Sequence, residues 1–383
     1  MRWTSALSQR SNTGQALREV SSAVTAGLAE APADLLLVFA TPHHAPGLEP
    51  AMTLLRRDFP GARVVGAVGS SVAGAGREVE DGPALSVVAA HLPDVEIRPF
   101  RVPAGAPDAV DVRAVPSTSA DAPMILWLAD PRSCPVEAWL DALSRHLPGA
   151  SVFGGLASGP RQAVQLICDE SVVTDGAVGV MLWGDIDVEV VVAQGCRPLG
   201  EPFIVTEGGG PILRTLDGRP ALTVMREVLA ALPQRSRAAF ERAPLVGVAT
   251  IRSGLTGGDV LVRPVIGADH EALAVAVGHD VVPGDLVQLQ LRDRASAAAD
   301  MHRMLDHAAR SGPAAGALLF SCLGRGKGLF GVADHDTGLV RSKLEVDAVG
   351  GMFCSGEIGP VHGRAWMHGF TSVVALFRPA EWN

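Results

Sequence analysis

The feature that most constrains this chain is an internal repeat. Phe59-Pro-Gly-Ala62 returns as Leu147-Pro-Gly-Ala150, 88 positions later, and Val64, Gly66 and Ser70 return as Val152, Gly154 and Ser158 at the same offset. Upstream, Glu49, Leu55 and Arg57 match Glu137, Leu143 and Arg145, and residues 36–39 answer 124–127. Downstream, Asp81-Gly82 before the apolar run 85–90 answers Asp175-Gly176 before 178–183. Asp94-Val-Glu-Ile97 likewise answers Asp187-Val-Glu-Val190. Matched elements in matched order imply a duplicated β-α-β-β-β module.

Each copy has the same grammar. Residues 34–40 form a continuous apolar run that suits a buried strand. Pro42-His-His-Ala-Pro46 breaks it. A helix over 48–59 turns Met52 and Leu55 inward, Pro60-Gly61 ends it, and 62–68 resumes as a strand. Two such strands joined by a helix predict a right-handed parallel crossover, and the strands that follow are spaced to pair as a hairpin. An amphipathic helix over 11–29 (Leu17, Val20, Val24 and Leu28 inward) opens the chain, and 102–122 is expected to link the copies.

A third, fainter echo lies at 316–322 and 348–354, in an alignment that puts Ser70, Ser158 and Cys354 at one position. Before it, 219–232 reads as a helix, 260–266, 273–277 and 286–292 as a meander, and Ser296 as the N-cap of a further helix ended by Gly312. The fold class expected is mixed α/β. It consists of duplicated β-α-β-β-β modules whose mixed sheets are covered by helices, with a related C-terminal α/β domain.

Composition excludes several functions. With 48% hydrophobic and 19% charged residues the chain is not mainly disordered. A net charge of −9, 4% aromatics and no tyrosine argue against nucleic-acid binding. No apolar run approaches the ~18 residues of a membrane span, and residues 1–10 show no signal core, so no membrane insertion or secretion is expected. Five cysteines, none in a C-x-x-C pair, point to free thiols in a reducing, cytoplasmic setting.

The densest cluster of unusual residues is Phe320-Ser-Cys-Leu-Gly-Arg-Gly-Lys-Gly-Leu-Phe-Gly331, at the end of an apolar strand. It satisfies G-x-G-x-x-G, but residues 332–338 read as loop where a dinucleotide fingerprint needs a helix. Cys322, Gly324, Arg325, Gly326 and Lys327 remain as candidates. Glycines can turn N–H groups towards an anion, and Arg325 can fork onto a carboxylate; a tight turn with solvated charges fits the same residues. A second cluster, Gly350-Gly-Met-Phe-Cys-Ser-Gly-Glu-Ile-Gly-Pro360, holds Glu357 beside Gly356, a natural ammonium acceptor. Parallel strands would bring Arg325 and Glu357 to one sheet edge, where open sheets bind ligands. A zwitterion between them or an internal ion pair would both use that geometry.

Cys196 and Arg197 close another apolar strand. A nucleophilic thiol would need a base such as His368 or His362 and a lowered pKa, while buried inert cysteine is the commoner state. His43-His44 and Asp334-His335-Asp336 lack metal-ligand spacing and read as loop histidines and a solvated acidic turn. Neither a metal nor a cofactor is expected.

Residues 33–39 with Val64-Val-Gly66 resemble the start of a FIST N domain. Gly195-Cys-Arg-Pro-Leu-Gly200, Leu216-Asp-Gly-Arg-Pro-Ala221, Phe320-Ser-Cys-Leu-Gly-Arg-Gly326, Gly356-Glu-Ile-Gly-Pro360 and His368-Gly-Phe-Thr371 resemble its end and a FIST C domain. The resemblance runs from about residue 30 to 378. It implies a lead-in over 1–33, a FIST-N-like domain over 34–215 (repeats at about 34–102 and 122–194) and a FIST-C-like domain over 216–383. It also implies a sensory module of bacterial signalling for small ligands such as amino acids. The expected ligand-binding set is Cys196, Arg197, Cys322, Gly324, Arg325, Gly326, Lys327, Gly356, Glu357 and His368, with no catalytic residue. The sequence has no room for an F-box, a histidine-kinase core or a receiver domain. The resulting expectation is a sensor acting through a separate signalling protein; a cysteine-dependent enzyme and a protein–protein adaptor are the alternatives.

Overall fold

The computed structural model describes residues 1–116, 118, 122–250 and 260–380. It divides into two compact units: residues 1–193, 301–367 and 371–383 form the first, 194–300 and 368–370 the second. The boundary expected at residue 216 falls inside the second unit.

The first unit holds three sheets with one strand order. In the first sheet that order is Arg2–Ser8, Leu85–His91, Leu35–Ala40, Arg63–Val68, Leu166–Cys168, Ser171–Val173. The second runs Val95–Val102, Ala177–Gly184, Met124–Ala129, Ser151–Leu156, Glu357–Val361, Arg364–His368. The third runs Asp187–Gln194, Thr371–Arg378, Gly316–Cys322, Val349–Cys354, Val72–Gly74, Arg77–Val79. Each has one parallel pair at its centre, Leu35–Ala40 with Arg63–Val68 and its two counterparts, as the crossover grammar requires. The repeat is therefore threefold.

The last two strands of every sheet come from another repeat. The hairpin of repeat one completes the sheet of repeat three, that of repeat two completes repeat one, and that of repeat three completes repeat two. The exchange closes on itself.

Three equivalent glycines mark the parallel pairs. A Cβ on Gly66, Gly154 or Gly351 would lie 2.0, 2.0 or 1.9 Å from the carbonyl oxygen of Val38, Trp127 or Leu319. These glycines align Ser70 and Ser158 with Ser355, so the expected alignment with Cys354 is one residue out of register. A one-residue slip in a strand reverses the face a side chain occupies. Where the repeats meet, Ser158 N donates to Val68 O (3.2 Å) and Ser355 N to Leu156 O (3.1 Å). In the third equivalent contact Ser158 Oγ intervenes, accepting from Ser70 N (2.8 Å) and donating to Phe353 O (2.5 Å).

Helices cover the sheets. Thr13–Leu28, capped by Asn12 through Gln15 N, buries Leu17, Val20, Val24 and Leu28. Leu48–Asp58 and Val136–His146 bury matching apolar faces, Met52 and Leu55 in one, Leu140 and Leu143 in the other. Aligned apolar positions at helical spacing are sufficient cause. The expected linker holds two short 3-10 turns, Pro107–Ala109 and Val112–Ala114; its residues 117 and 119–121 lie outside the described residues.

The second unit is a closed antiparallel barrel. Its ring runs Cys196–Gly209, Leu286–Arg292, Leu245–Ala249, Leu261–Asp269, Ala274–Val277, Ile212–Leu216 and back to Cys196–Gly209. Leu199, Val205, Leu213, Val248, Val277 and Leu289 help fill its interior. The expected meander supplies three of these strands. Helix Arg294–Ala308 starts one turn earlier than its expected cap: Asp293 Oδ1, and not Ser296, accepts a first-turn N–H, that of Ser296 (2.8 Å).

Candidate functional site

The third parallel pair ends differently from the other two. After Cys322 the chain turns tightly, with Arg325 N donating to Cys322 O (2.8 Å), and continues as a short helix, Gly326–Phe330. Helix His335–Leu344 follows, where a loop over 332–338 was expected.

Arg325 is 1% exposed. Its Nε donates to Asp336 Oδ2 (2.7 Å) and its Nη2 to Asp336 Oδ1 (3.1 Å). Ser321 Oγ donates to Asp336 Oδ2 (3.2 Å), and His335 Nδ1 lies 2.9 Å from Oδ1. The His335 ring stacks on Phe330, and the Arg325 guanidinium lies 5.2 Å from the Phe330 ring centroid. Asp336 is therefore no solvated turn residue. Burial works against both charges, but Arg325 and His335 together hold the Asp336 carboxyl well below its usual range, and Asp336, with the charges of Glu357 and Cys322, keeps Arg325 protonated. The internal partner of Arg325 is Asp336 rather than Glu357, although the charge of Glu357 also favours the guanidinium. Arg325 Nη1 is buried and has no hydrogen-bond partner among the described residues.

Glu357 opens its strand opposite Gly155, is fully buried, and accepts from Thr371 N through Oε2 (3.2 Å). Gly356 before it is packed so closely that a Cβ would touch Leu156 Cδ1 at 3.0 Å. Arg325 follows a strand of the third sheet and Glu357 opens a strand of the second, so the two do not share the edge of one sheet as expected; the link between them is electrostatic.

The anion expected over the glycines is supplied by the protein itself. Lys327 N donates to both carboxylate oxygens of Glu80 (2.9 and 3.1 Å), and a Cβ on Gly326, at φ +62°, would lie 2.5 Å from Glu80 Oε2. Glu80 follows the exchanged hairpin of repeat one, which also carries Glu78. Glu78 N donates to Asp334 Oδ1 (2.6 Å), and Glu78 Oε1 accepts from Thr337 N (2.8 Å). Glu78 is 5% exposed, and its carboxyl is pushed up to about 7 by burial and then by the charge of Asp336.

Sequence reasoning missed Glu78, Glu80 and Asp336. The available signals were a polar Ser321 inside an apolar strand and the acidic alternation Glu78-Val-Glu80, neither of which names a partner. His44 also departs from its reading as a loop histidine. It is fully buried, with Nδ1 3.0 Å from Thr13 Oγ1, and burial followed by the charge of His43 lowers its pKa.

Seven of the ten expected site residues fall in the first unit: Cys322, Gly324, Arg325, Gly326, Lys327, Gly356 and Glu357. Cys196, Arg197 and His368 belong to the second, where Arg197 Nε pairs with Asp293 Oδ2 at 2.9 Å. Among the thiols, burial pushes Cys134 up to about 12, Cys168 to about 11 and Cys354 well above its usual range, so none of these three is an activated nucleophile. A groove of about 520 Å³ in the first unit is lined by Arg56, Arg63, Asp169 and Glu170, whose charges already pair with one another. No helix among the described residues is long and apolar enough to cross a membrane.

Two mycobacterial proteins are similar to this chain over most of its length. Uncharacterized protein Rv0628c of Mycobacterium tuberculosis is 37% identical over 323 residues, covering 82% of this chain and 84% of the relative. Uncharacterized protein Mb0898c of Mycobacterium bovis is 35% identical over 356 residues, 91% of each chain. Residues 34–219 match the FIST N domain and 221–360 the FIST C domain, so the chain belongs to the FIST family, which is associated with sensing in signal transduction.

Proposed function

We propose that this protein is a cytoplasmic small-ligand sensor whose ligand is taken by the Arg325 cluster, and that it acts through a separate signalling protein. One observation carries the reading. Arg325 is fixed on one side by Asp336 and keeps Nη1, at 1% exposure, without a partner. A buried guanidinium nitrogen left unsatisfied costs about 1–3 kcal/mol or more, and a ligand carboxylate meeting it recovers that cost. Glu357, in the same electrostatic neighbourhood, supplies negative charge for an ammonium group. An amino acid or a similar small zwitterion or carboxylate fits this pair of charges. Gly324 in the turn and Lys327 in the short helix after it are exposed.

The test is a thermal-shift screen against amino acids and small carboxylates, run on wild type, Arg325→Lys and Glu357→Gln. Arg325→Lys keeps a cation for Asp336 but removes the forked donor. A ligand at ~100 times its dissociation constant adds about 2.7 kcal/mol of stability. The expected result is a shift in wild type that is lost in both variants. No shift with any compound, while the variants simply melt earlier, would make the cluster structural and remove the proposal.

A further inference from the structure

We propose that Cys322 and Cys354 form a thiol-modification site, a pair that closes to a disulfide on mild oxidation. The two residues are register partners at the ends of the adjacent parallel strands Gly316–Cys322 and Val349–Cys354. Neighbouring strands lie about 4.8 Å apart, inside the Cα separation of about 4.4–6.8 Å that a disulfide spans. Register partners project to one face of a sheet. The residues two positions back, Phe320 and Met352, and Cys354 itself all pack into the same core. Gly155 leaves the space that Cys354 Sγ occupies, since a Cβ there would approach it to 2.3 Å.

The two thiols have different surroundings, which assigns their roles. Cys354 is fully buried and lies within the electrostatic reach of Cys322 and Glu357. Cys322 is half-buried, and its thiolate and the Arg325 cation stabilise one another. Cys322 is the attacking sulfur and Cys354 the resolving one.

With hydrogen peroxide as oxidant the step balances. The Cys322 thiolate attacks the terminal peroxide oxygen. An S–O bond forms, the O–O bond breaks, and hydroxide leaves and takes up a proton. Cys354 sulfur then attacks the Cys322 sulfenic acid, forming S–S and breaking S–O, and its proton leaves with the departing hydroxyl as water. Two thiols lose two electrons in all, and hydrogen peroxide becomes two waters. The link would tie together the two strand ends from which the Arg325 turn and the Glu357 strand depart. The pairing does not depend on the ligand reading.

The experiment exposes the reduced full chain to hydrogen peroxide, titrates thiols under denaturing conditions and maps peptides without reduction. Two of the five thiols should disappear, with residues 322 and 354 in one linked peptide and both recovered by dithiothreitol. In Cys354→Ala the link is lost and a 1,3-dione traps sulfenic acid at Cys322 ahead of any other cysteine. In Cys322→Ser, Cys354 stays reduced. Retention of all five thiols in wild type, linkage of another pair, or overoxidation of Cys322 beside reduced Cys354 would overturn the proposal.

Discussion

Repeats two and three of the first unit use one backbone plan to opposite ends. Both carry an aspartate beyond the first parallel strand, Asp130 and Asp336, and both bury it, at 3% and 2% exposure. Asp130 is held by Ser133 Oγ (2.7 Å) and by Arg132, whose side chain remains 37% exposed. Asp336 is held by Arg325, whose side chain is fully enclosed. An aspartate whose counter-ion reaches water is a turn fixture. An aspartate whose counter-ion is sealed in, with one guanidinium nitrogen to spare, is a polarised site. The shared frame says where such a site can be built, and the crossover sequence says whether it is.

Three sets of substitutions would break or sharpen that contrast. The largest effect belongs to the frame. Gly351→Ala and Gly154→Ala drive a Cβ into the backbone of the neighbouring parallel strand, and each should cost about 3 kcal/mol or more, or prevent folding, in urea denaturation. Gly328→Ala, where nothing lies within 4 Å, should stay within about 0.5 kcal/mol of wild type. Equal losses at all three positions would remove the claim that the repeats share one close-packed pairing.

The next effect separates the repeats. Asp336→Ala strands the buried Arg325 cation and should cost about 3–5 kcal/mol, whereas Asp130→Ala, facing a half-exposed arginine, should cost about 1 kcal/mol. The same denaturation series reads both, and comparable losses would dissolve the distinction.

The smallest effect concerns pH. Glu78 titrates near 7 in the native state and near 4.5 in the unfolded chain. Between those values the native state holds a proton that the unfolded state has released. Stability contributed by Glu78 is therefore greatest in mild acid, declines as pH rises from about 4.5 to 7, and is level above that range. Glu78→Gln keeps the acceptor for Thr337 N and should flatten this slope, gaining on the order of 2 kcal/mol at pH 8 relative to wild type. Chemical denaturation at pH 5 and pH 8 measures it. An unchanged slope in the variant would mean that Glu78 is charged throughout.

Much of this is legible in the order of the residues. The Pro-Gly-Ala motif and the glycines at 66 and 154 fixed the repeat, and apolar spacing placed Leu17 to Leu28 and Met52 to Leu55 on buried faces. Arg325 and Glu357 stood out because charges beside glycines at the ends of apolar strands are rare. Asp336 did not, since Asp334-His335-Asp336 has the polarity of an exposed turn and its partner lies on the far side of a second helix start. The barrel was visible as three strands of a meander, but the closing contact between Cys196–Gly209 and Ile212–Leu216 was not.

What the sequence determined by itself is local: which segments are strands or helices, which faces they bury, and that one β-α-β unit recurs. Side-chain periodicity and steric limits at glycine act within a few residues and are written in the order of the chain. Tertiary structure alone decided which sheet each hairpin completes, and hence that Glu78 and Glu80 of repeat one hold the loop of repeat three. A hairpin edge offers the same backbone donors and acceptors to any strand, so its choice of partner rests on packing between segments more than two hundred residues apart, as in Glu78 with Thr337.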